Sequence, residues 1–207
     1  MGNFFNPEKG IWAWLSTLVD VCGLSIVWIL LCLPVVTIGP ATAALYHTEV
    51  TCVRGREEGA FGDYFRSFLA NLKIGCLVTL ICLAAAALFA LGYEIMKANA
   101  NVSPAAGVMF AAYYAVLFLP AGVLVWLFPL LGRFDFGVRA LFVTAFQLAV
   151  RHLPTTFVIV LLTAQTAVFC LNKWWPVLVL PSIVMLLVSF FFEKIFLKYS
   201  PELKEEG

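Results

Sequence analysis

Val21 to Thr48, VCGLSIVWILLCLPVVTIGPATAALYHT, carries no carboxylate, lysine or arginine between Asp20 and Glu49. A helix crossing a bilayer needs about 20 mostly apolar residues, so this stretch is long for one straight span. It also holds its own breakers, Leu33-Pro34-Val35-Val36-Thr37-Ile38-Gly39-Pro40. Pro34 removes a backbone donor and clashes with the preceding turn. Ile38, ahead of Gly39-Pro40, is pushed toward extended geometry. Pro40 suits the first turn of a new helix. The reading is a long helix, a broken turn, and a short second, interfacial helix over 41–53. Backbone groups freed at such a break survive only when buried in protein or facing a wet cavity. The break is therefore either a binding site of the discontinuous-helix kind or a bend steering the chain along the interface. The residues that would make the site are Pro34, Thr37, Gly39, Pro40, His47 and Glu49.

Four further uncharged runs follow, and charges punctuate them all. With the first they give spans at about 21–38, 74–94, 105–131, 153–172 and 175–195. The fold class is all-α integral membrane, with about five transmembrane helices in a single domain over 1–207. Continuous runs of this length argue against barrel strands, which alternate over about ten residues. Composition agrees: 63% of the 207 residues are hydrophobic and 12% charged, whereas soluble domains carry about 25% charged residues. Disorder is excluded by the same figures. The net charge of +1 supplies no basic surplus for nucleic acid. The bilayer is the first expected partner.

Lysine and arginine are unevenly shared among the connections. Arg54, Arg56, Arg66, Lys73, Arg133, Arg139, Arg151, Lys194, Lys198 and Lys204 fall on one side of a five-span chain. Lys9, Lys97 and Lys173 fall on the other. The positive-inside rule then puts the N-terminus outside and the C-terminus in the cytoplasm. Trp12, Trp14, Trp174 and Trp175 sit where interfacial anchors are expected. Ala41-Thr42-Ala43 looks like a cleavage site, but acidic Asp20 stands where a signal peptide needs positive charge, so no cleavage is expected.

Two segments have the pattern of interfacial helices. In 61–73, Phe61, Tyr64, Phe65, Phe68, Leu69 and Leu72 share one face, and Asp63, Arg66, Ser67, Asn71 and Lys73 take the other. In 136–151, Thr144, Gln147 and Arg151 form a polar stripe. Each either anchors the chain to the inner leaflet or docks a cytoplasmic partner. The candidate partner face is Asp63, Arg66, Asn71, Lys73, Gln147 and Arg151. Within the spans the strongest polar residue is Gln165, expected to bond between helices.

Catalytic and metal chemistry leave no pattern. G-x-S-x-G, H-E-x-x-H, the P-loop and G-x-G-x-x-G are missing. The two histidines, His47 and His152, stand apart, and the six cysteines form no C-x-x-C. No catalytic residue, metal ligand, cofactor or disulfide is expected, and the chain reads as a non-enzyme.

The break carries a resemblance. Leu33-Pro34-Val35-Val36-Thr37-Ile38-Gly39 followed by Ala43-Ala44-Leu45-Tyr46 is similar to the signature of the YesL family of small bacterial membrane proteins. Phe65-Arg66-Ser67-Phe68 with Asn71-Leu72-Lys73, and Arg151-His152-Leu153-Pro154, extend it. The motifs run from about Val21 to Pro154, and the length suits nearly the whole chain. The resemblance implies a multi-pass protein of the bacterial inner membrane, encoded beside carbohydrate ABC importers and glycan-degrading enzymes. It implies no catalytic residues. Two functions follow as expectations: an accessory of carbohydrate uptake touching importer subunits, or a small transporter or channel for a sugar or ion that self-associates.

Overall fold

Proline chemistry sets the first corner of the chain. The computed structural model describes residues 7–54, 59–99, 103–173 and 175–199. Helix α1 (Pro7–Cys32) stops two residues before Pro34, and Val35–Thr37 makes a single 3-10 turn. Helix α2 (Ile38–Thr48) follows, with Pro40 in its first turn where a missing N–H costs nothing. The Thr37 hydroxyl ties the corner to the carbonyls of Leu31 and Pro34. A π-helical turn, Glu49–Arg54, succeeds α2. Then come α3 (Ala60–Asn99), α4 (Pro104–Arg133), α5 (Val138–Arg151) and α6 (Leu153–Asn172). A short 3-10 turn, Trp175–Leu178, leads into α7 (Leu180–Tyr199). No strand occurs among the described residues. The Arg56-Glu57-Glu58 turn, Trp174, and the side chains of Trp12, Trp14 and Trp175 lie outside what is described.

Four helices, α3, α4, α6 and α7, are long and apolar enough to cross a membrane. The first expected span corresponds to a shorter apolar stretch, Val19–Cys32. Large apolar side chains cover the outside: Leu88, Leu91, Val108, Leu161 and Leu171 are all exposed. Water would penalise such a surface; lipid does not.

The short second helix is enclosed by protein. Ala41, Ala43, Ala44, Leu45 and Tyr46 are almost wholly buried, because small residues let neighbouring backbones approach closely. α2 lies between α1 and α3 and runs antiparallel to both. Trp28 Nε1 donates to Thr42 Oγ1 at 3.2 Å on the α1 side. On the α3 side, Gly39 N donates to Thr79 Oγ1 at 3.1 Å, while His47 reaches Asp63 at 3.4 Å. α1 and α3 therefore run in the same sense, with Gly23 beside the Phe61 ring at one end. The expectation from sequence had the first two spans crossing in opposite senses. The difference arises because the chain folds back on itself inside the uncharged stretch, at Pro34–Pro40.

The helix expected over 61–73 and the span expected over 74–94 are one helix of 40 residues. At 1.5 Å per residue it is about 60 Å long, roughly twice the hydrocarbon thickness. No proline divides it, and its glycines, Gly62, Gly75 and Gly92, are each a helix penalty of about 1 kcal/mol. Its first turns therefore continue the same helix as the span. Tyr64 and Phe68 turn inward, while Phe61, Phe65 and Leu69 stay exposed.

α4 returns along α3, as Tyr113 Oη donating to the Phe89 carbonyl at 2.7 Å records. α5 (expected over 136–151) folds back on α4 through buried Leu141, Ala145, Leu148 and Ala149. Gly122 of α4 opens room for Thr156 and Ala149. The core gathers on Trp126, whose Nε1 donates to Thr156 Oγ1 at 3.0 Å and whose ring meets Phe192 edge-on at 4.7 Å. The His152 ring meets the Tyr199 hydroxyl at 3.0 Å, so the end of α7 lies beside the start of α6. Gln165 stays exposed on α6 and is not an interhelical bond of the described core.

Candidate functional site

The C-terminal end of α2 is where polar chemistry collects. Four consecutive residues, Tyr46, His47, Thr48 and Glu49, leave the helix around different sides, as a period of 3.6 residues per turn requires. Tyr46 turns toward α7, and His47 toward α3 and α4.

Tyr46 is fully buried, and its hydroxyl donates to Glu193 Oε1 at 2.7 Å. Arg133 Nη2 lies 3.6 Å from the other oxygen of the same carboxylate. Glu193 lies in the C-terminal half of α7, where the sequence alone would leave it near water, yet in the fold it is 5% exposed. The readable signal was there: Arg133 closes the long uncharged run of α4, and a buried charge needs a charged partner.

His47 Nδ1 is 3.1 Å from the Gly132 carbonyl, and Nε2 faces Asp63. Thr51 donates to the same Asp63 carboxylate at 3.1 Å, and Arg66 closes it from outside. Asp63 was expected on a solvated partner face; its side chain is only 11% exposed and looks back at α2. The cause is the register of α3, which brings its first turn against the π-helical segment. Arg66 remains open, with 81% of its side chain exposed.

The rest of the expected partner face divides. Asn71 turns back to the Ser67 carbonyl at 3.0 Å. Lys73 is exposed on α3, and Gln147 and Arg151 are exposed on α5. Arg151 sits over the Tyr199 ring at 5.2 Å. Among the described residues, no hydrogen bond or ion pair joins the α5 pair to the α3 set.

Of the break residues, Pro34, Thr37, Gly39 and Pro40 form the corner itself, and His47 and Glu49 lie at the far end of α2. The structure does not bring the six together. At the corner, Gly39 packs on Gly75 and Thr79 without a wet cavity. Glu49 is wholly buried, and neither carboxylate oxygen has a hydrogen-bond partner among the described residues. Burial pushes its pKa up to about 8; Ser182 opposes the shift from nearby without bonding geometry, and the negative charge of Asp20 adds to it.

A cavity of about 520 Å³ lies between α2, α4, α6 and α7, lined by residues that include Thr42, Leu45, Phe128, Thr163, Met185 and Phe192. No charged side chain lines it. All six cysteines are free. Among the described residues, no group of three or more His, Cys, Asp or Glu could hold a metal.

These features define an all-helical, multi-pass membrane protein with a buried polar end to its second helix. Residues 21–93 match the model of a family described as "Protein of unknown function, DUF624". The match takes in the break, α2 and most of α3, so it covers the first two of the three motifs behind the resemblance noted above. No curated protein matches the chain. No solved structure matches it.

Proposed function

We propose that this chain is a non-catalytic component of the bacterial inner membrane that works beside a carbohydrate ABC importer and binds it from the cytoplasmic side. The carbohydrate setting rests on the resemblance to the YesL family. The choice of accessory over transporter rests on one observation: the break is closed. The Gly39 amide is already bonded to Thr79, and glycine meets glycine there. A sugar needs a wet path lined with free hydrogen-bonding groups, whereas the hydroxyls that line the cavity, Thr42, Thr163 and Thr166, each already donate to a carbonyl of their own helix.

Binding of a partner is supported by the projecting half of α3, where exposed Arg66 and Lys73 stand beside exposed Phe65 and Leu69. Aromatic and arginine side chains together are what protein interfaces favour. In this reading the hairpin of α1 and α2 enters and leaves the bilayer on one side. Four crossings remain, and both ends of the chain are cytoplasmic, in place of the outside N-terminus expected from five spans. Lys9 then joins the basic side, leaving only Lys97 and Lys173 opposite, which strengthens the positive-inside asymmetry.

Purification in mild detergent from a native host tests the proposal. A permease or nucleotide-binding subunit of a sugar importer should copurify, and Arg66→Glu should weaken the recovery. Sugar uptake by proteoliposomes holding this chain alone, with no importer subunit recovered, would support the oligomeric transporter instead.

A further inference from the structure

Helical periodicity shapes the cavity of about 520 Å³. On α6, Ile159, Thr163, Thr166, Ala167, Cys170 and Leu171 line it, at offsets 0, 4, 7, 8, 11 and 12. That is the spacing of one helix face. On α7 the lining positions run from Pro181 to Phe192, again on one face. At 1.5 Å per residue each face is about 16–18 Å long. The hydrocarbon core of a bilayer is about 30 Å thick, so the cavity extends over more than one leaflet's depth. The two faces line one long space that follows the helix axes. Phe128 of α4, with Thr42 and Leu45 of α2, completes the walls.

The lining excludes water and polar ligands alike. Its threonine hydroxyls donate within their own helices, and Trp28 Nε1 donates to Thr42 Oγ1. A buried water needs roughly two to four polar partners, and apolar cavities of even about 150 Å³ stay dry and take up apolar molecules. Left empty, a space of this size forfeits dispersion contacts along its whole lining. Hydrocarbon is the matching occupant, and the bilayer supplies it. α4 and α6 are both long and apolar enough to cross a membrane. Leu124 of α4, with Ala167 and Leu171 of α6, belongs to the lining and is also exposed. The cavity therefore opens on a lipid-facing surface, and a chain enters sideways without meeting water. Transfer from lipid brings no hydrophobic gain, because lipid tails are as apolar as leucine. What it brings is contact with walls of fixed shape, so the site selects its occupant by shape.

We propose that this cavity binds one linear acyl chain of a membrane phospholipid, taken in from the bilayer. The site stands independently of any importer partner.

The test is tryptophan fluorescence of the purified full chain in detergent, titrated with phosphatidylglycerol brominated on its acyl chains. Bromine quenches at contact, and Trp28 is part of the lining. Quenching should saturate, and excess unbrominated phosphatidylglycerol should reverse it. A polyprenyl phosphate, methyl-branched along its length, should not. Trp28→Phe should remove the saturable part. Thr163→Phe, which fills the cavity, should raise half-saturation severalfold. Leu161→Phe adds a ring on the exposed side of the same helix and should leave half-saturation unmoved. The wild-type titration requires no variant to fold. Quenching that never saturates, a saturable part that survives Trp28→Phe, or displacement by the polyprenyl phosphate as effective as by phosphatidylglycerol would each overturn the assignment. So would an unmoved half-saturation in Thr163→Phe, or an equal shift in Leu161→Phe.

Discussion

Gly39 and Gly75 face each other so closely that neither can carry a side chain. A Cβ on Gly75 would lie 2.8 Å from Pro40 Cδ, and one on Gly39 would strike the Thr79 hydroxyl and come within 2.9 Å of the Gly75 carbonyl. This contact seals the corner of the α1–α2 hairpin against α3. It also explains how a break with two prolines sits in apolar surroundings: the buried Gly39 amide is satisfied by Thr79, which itself donates to the Gly75 carbonyl at 2.7 Å.

Gly75→Ala is therefore expected to destabilise the protein by about 1–3 kcal/mol through overpacking, despite alanine's higher helix propensity. Gly62→Ala is the control, since nothing lies within 4 Å of a Cβ there. Midpoint temperatures in detergent should fall for the first and hold or rise slightly for the second. Equal behaviour of the two would mean that the Gly39–Gly75 contact does not hold the hairpin.

Tyr46, Glu193 and Arg133 should behave as a coupled set. Tyr46→Phe removes one hydrogen bond and is expected to cost about 1–3 kcal/mol, because a buried charged acceptor loses its donor. Arg133→Gln should cost more, since it leaves Glu193 buried without its counter-charge. In a double-mutant cycle of Tyr46→Phe with Glu193→Gln, the two costs should fall short of additivity by at least about 0.5 kcal/mol. Strict additivity would show that the 2.7 Å contact carries no energy.

Much of this architecture is readable in the chain, and the unread part has a common cause. Spans follow from uncharged runs, because lipid forces every backbone group into a helix. The break follows from Pro34, since one ring removes one donor. Sequence periodicity records which residues share a face, but not what covers that face. Tyr64 and Phe68 share a pattern with Phe61 and Phe65, yet only the first pair meets α2. Asp63 has the spacing of a solvated residue and is claimed by His47 and Thr51, 16 and 12 positions before it. Glu193 and Tyr46 are 147 positions apart, a pairing no local pattern contains.

Glu49 should give stability a pH dependence of definite sign. Its folded pKa is raised to about 8 from 4.5, so the folded state holds the proton more tightly than the unfolded one. Between those values the folded chain binds more protons, and stability falls as pH rises. The loss should begin near pH 4.5, deepen to about pH 8 and then level off. Every tenfold gain in proton affinity on folding is worth about 1.4 kcal/mol, so the ceiling is several kcal/mol. At constant ionic strength, wild-type midpoint temperatures should decline from pH 5.5 to 8, and Glu49→Gln should flatten the decline. A profile unchanged by the substitution would assign the dependence to other groups.

Arg66 bonds Asp63 from an exposed position, and exposed ion pairs contribute about 0–1 kcal/mol. Arg66→Ala should therefore leave the midpoint temperature nearly unchanged while lowering recovery of the importer subunit. A large stability loss would place Arg66 in the hairpin's support and remove it from the partner face.

The parallel course of α1 and α3 makes the topology testable. If the first span crossed fully and α3 crossed next, the two helices would run in opposite senses. Trp28 on Thr42 and Gly39 on Thr79 instead fold α2 back between them, so a single side receives both the start of α1 and the start of α3. α3, α4, α6 and α7 then make an even number of crossings. A reporter that fluoresces only in the cytoplasm should be bright when fused ahead of Pro7 and when fused after Tyr199. A reporter active only outside should work in the connection between α3 and α4, beside Lys97. A bright fusion after Tyr199 with a dark one ahead of Pro7 would restore five crossings, and the α1–α2 hairpin would then have to open in the membrane.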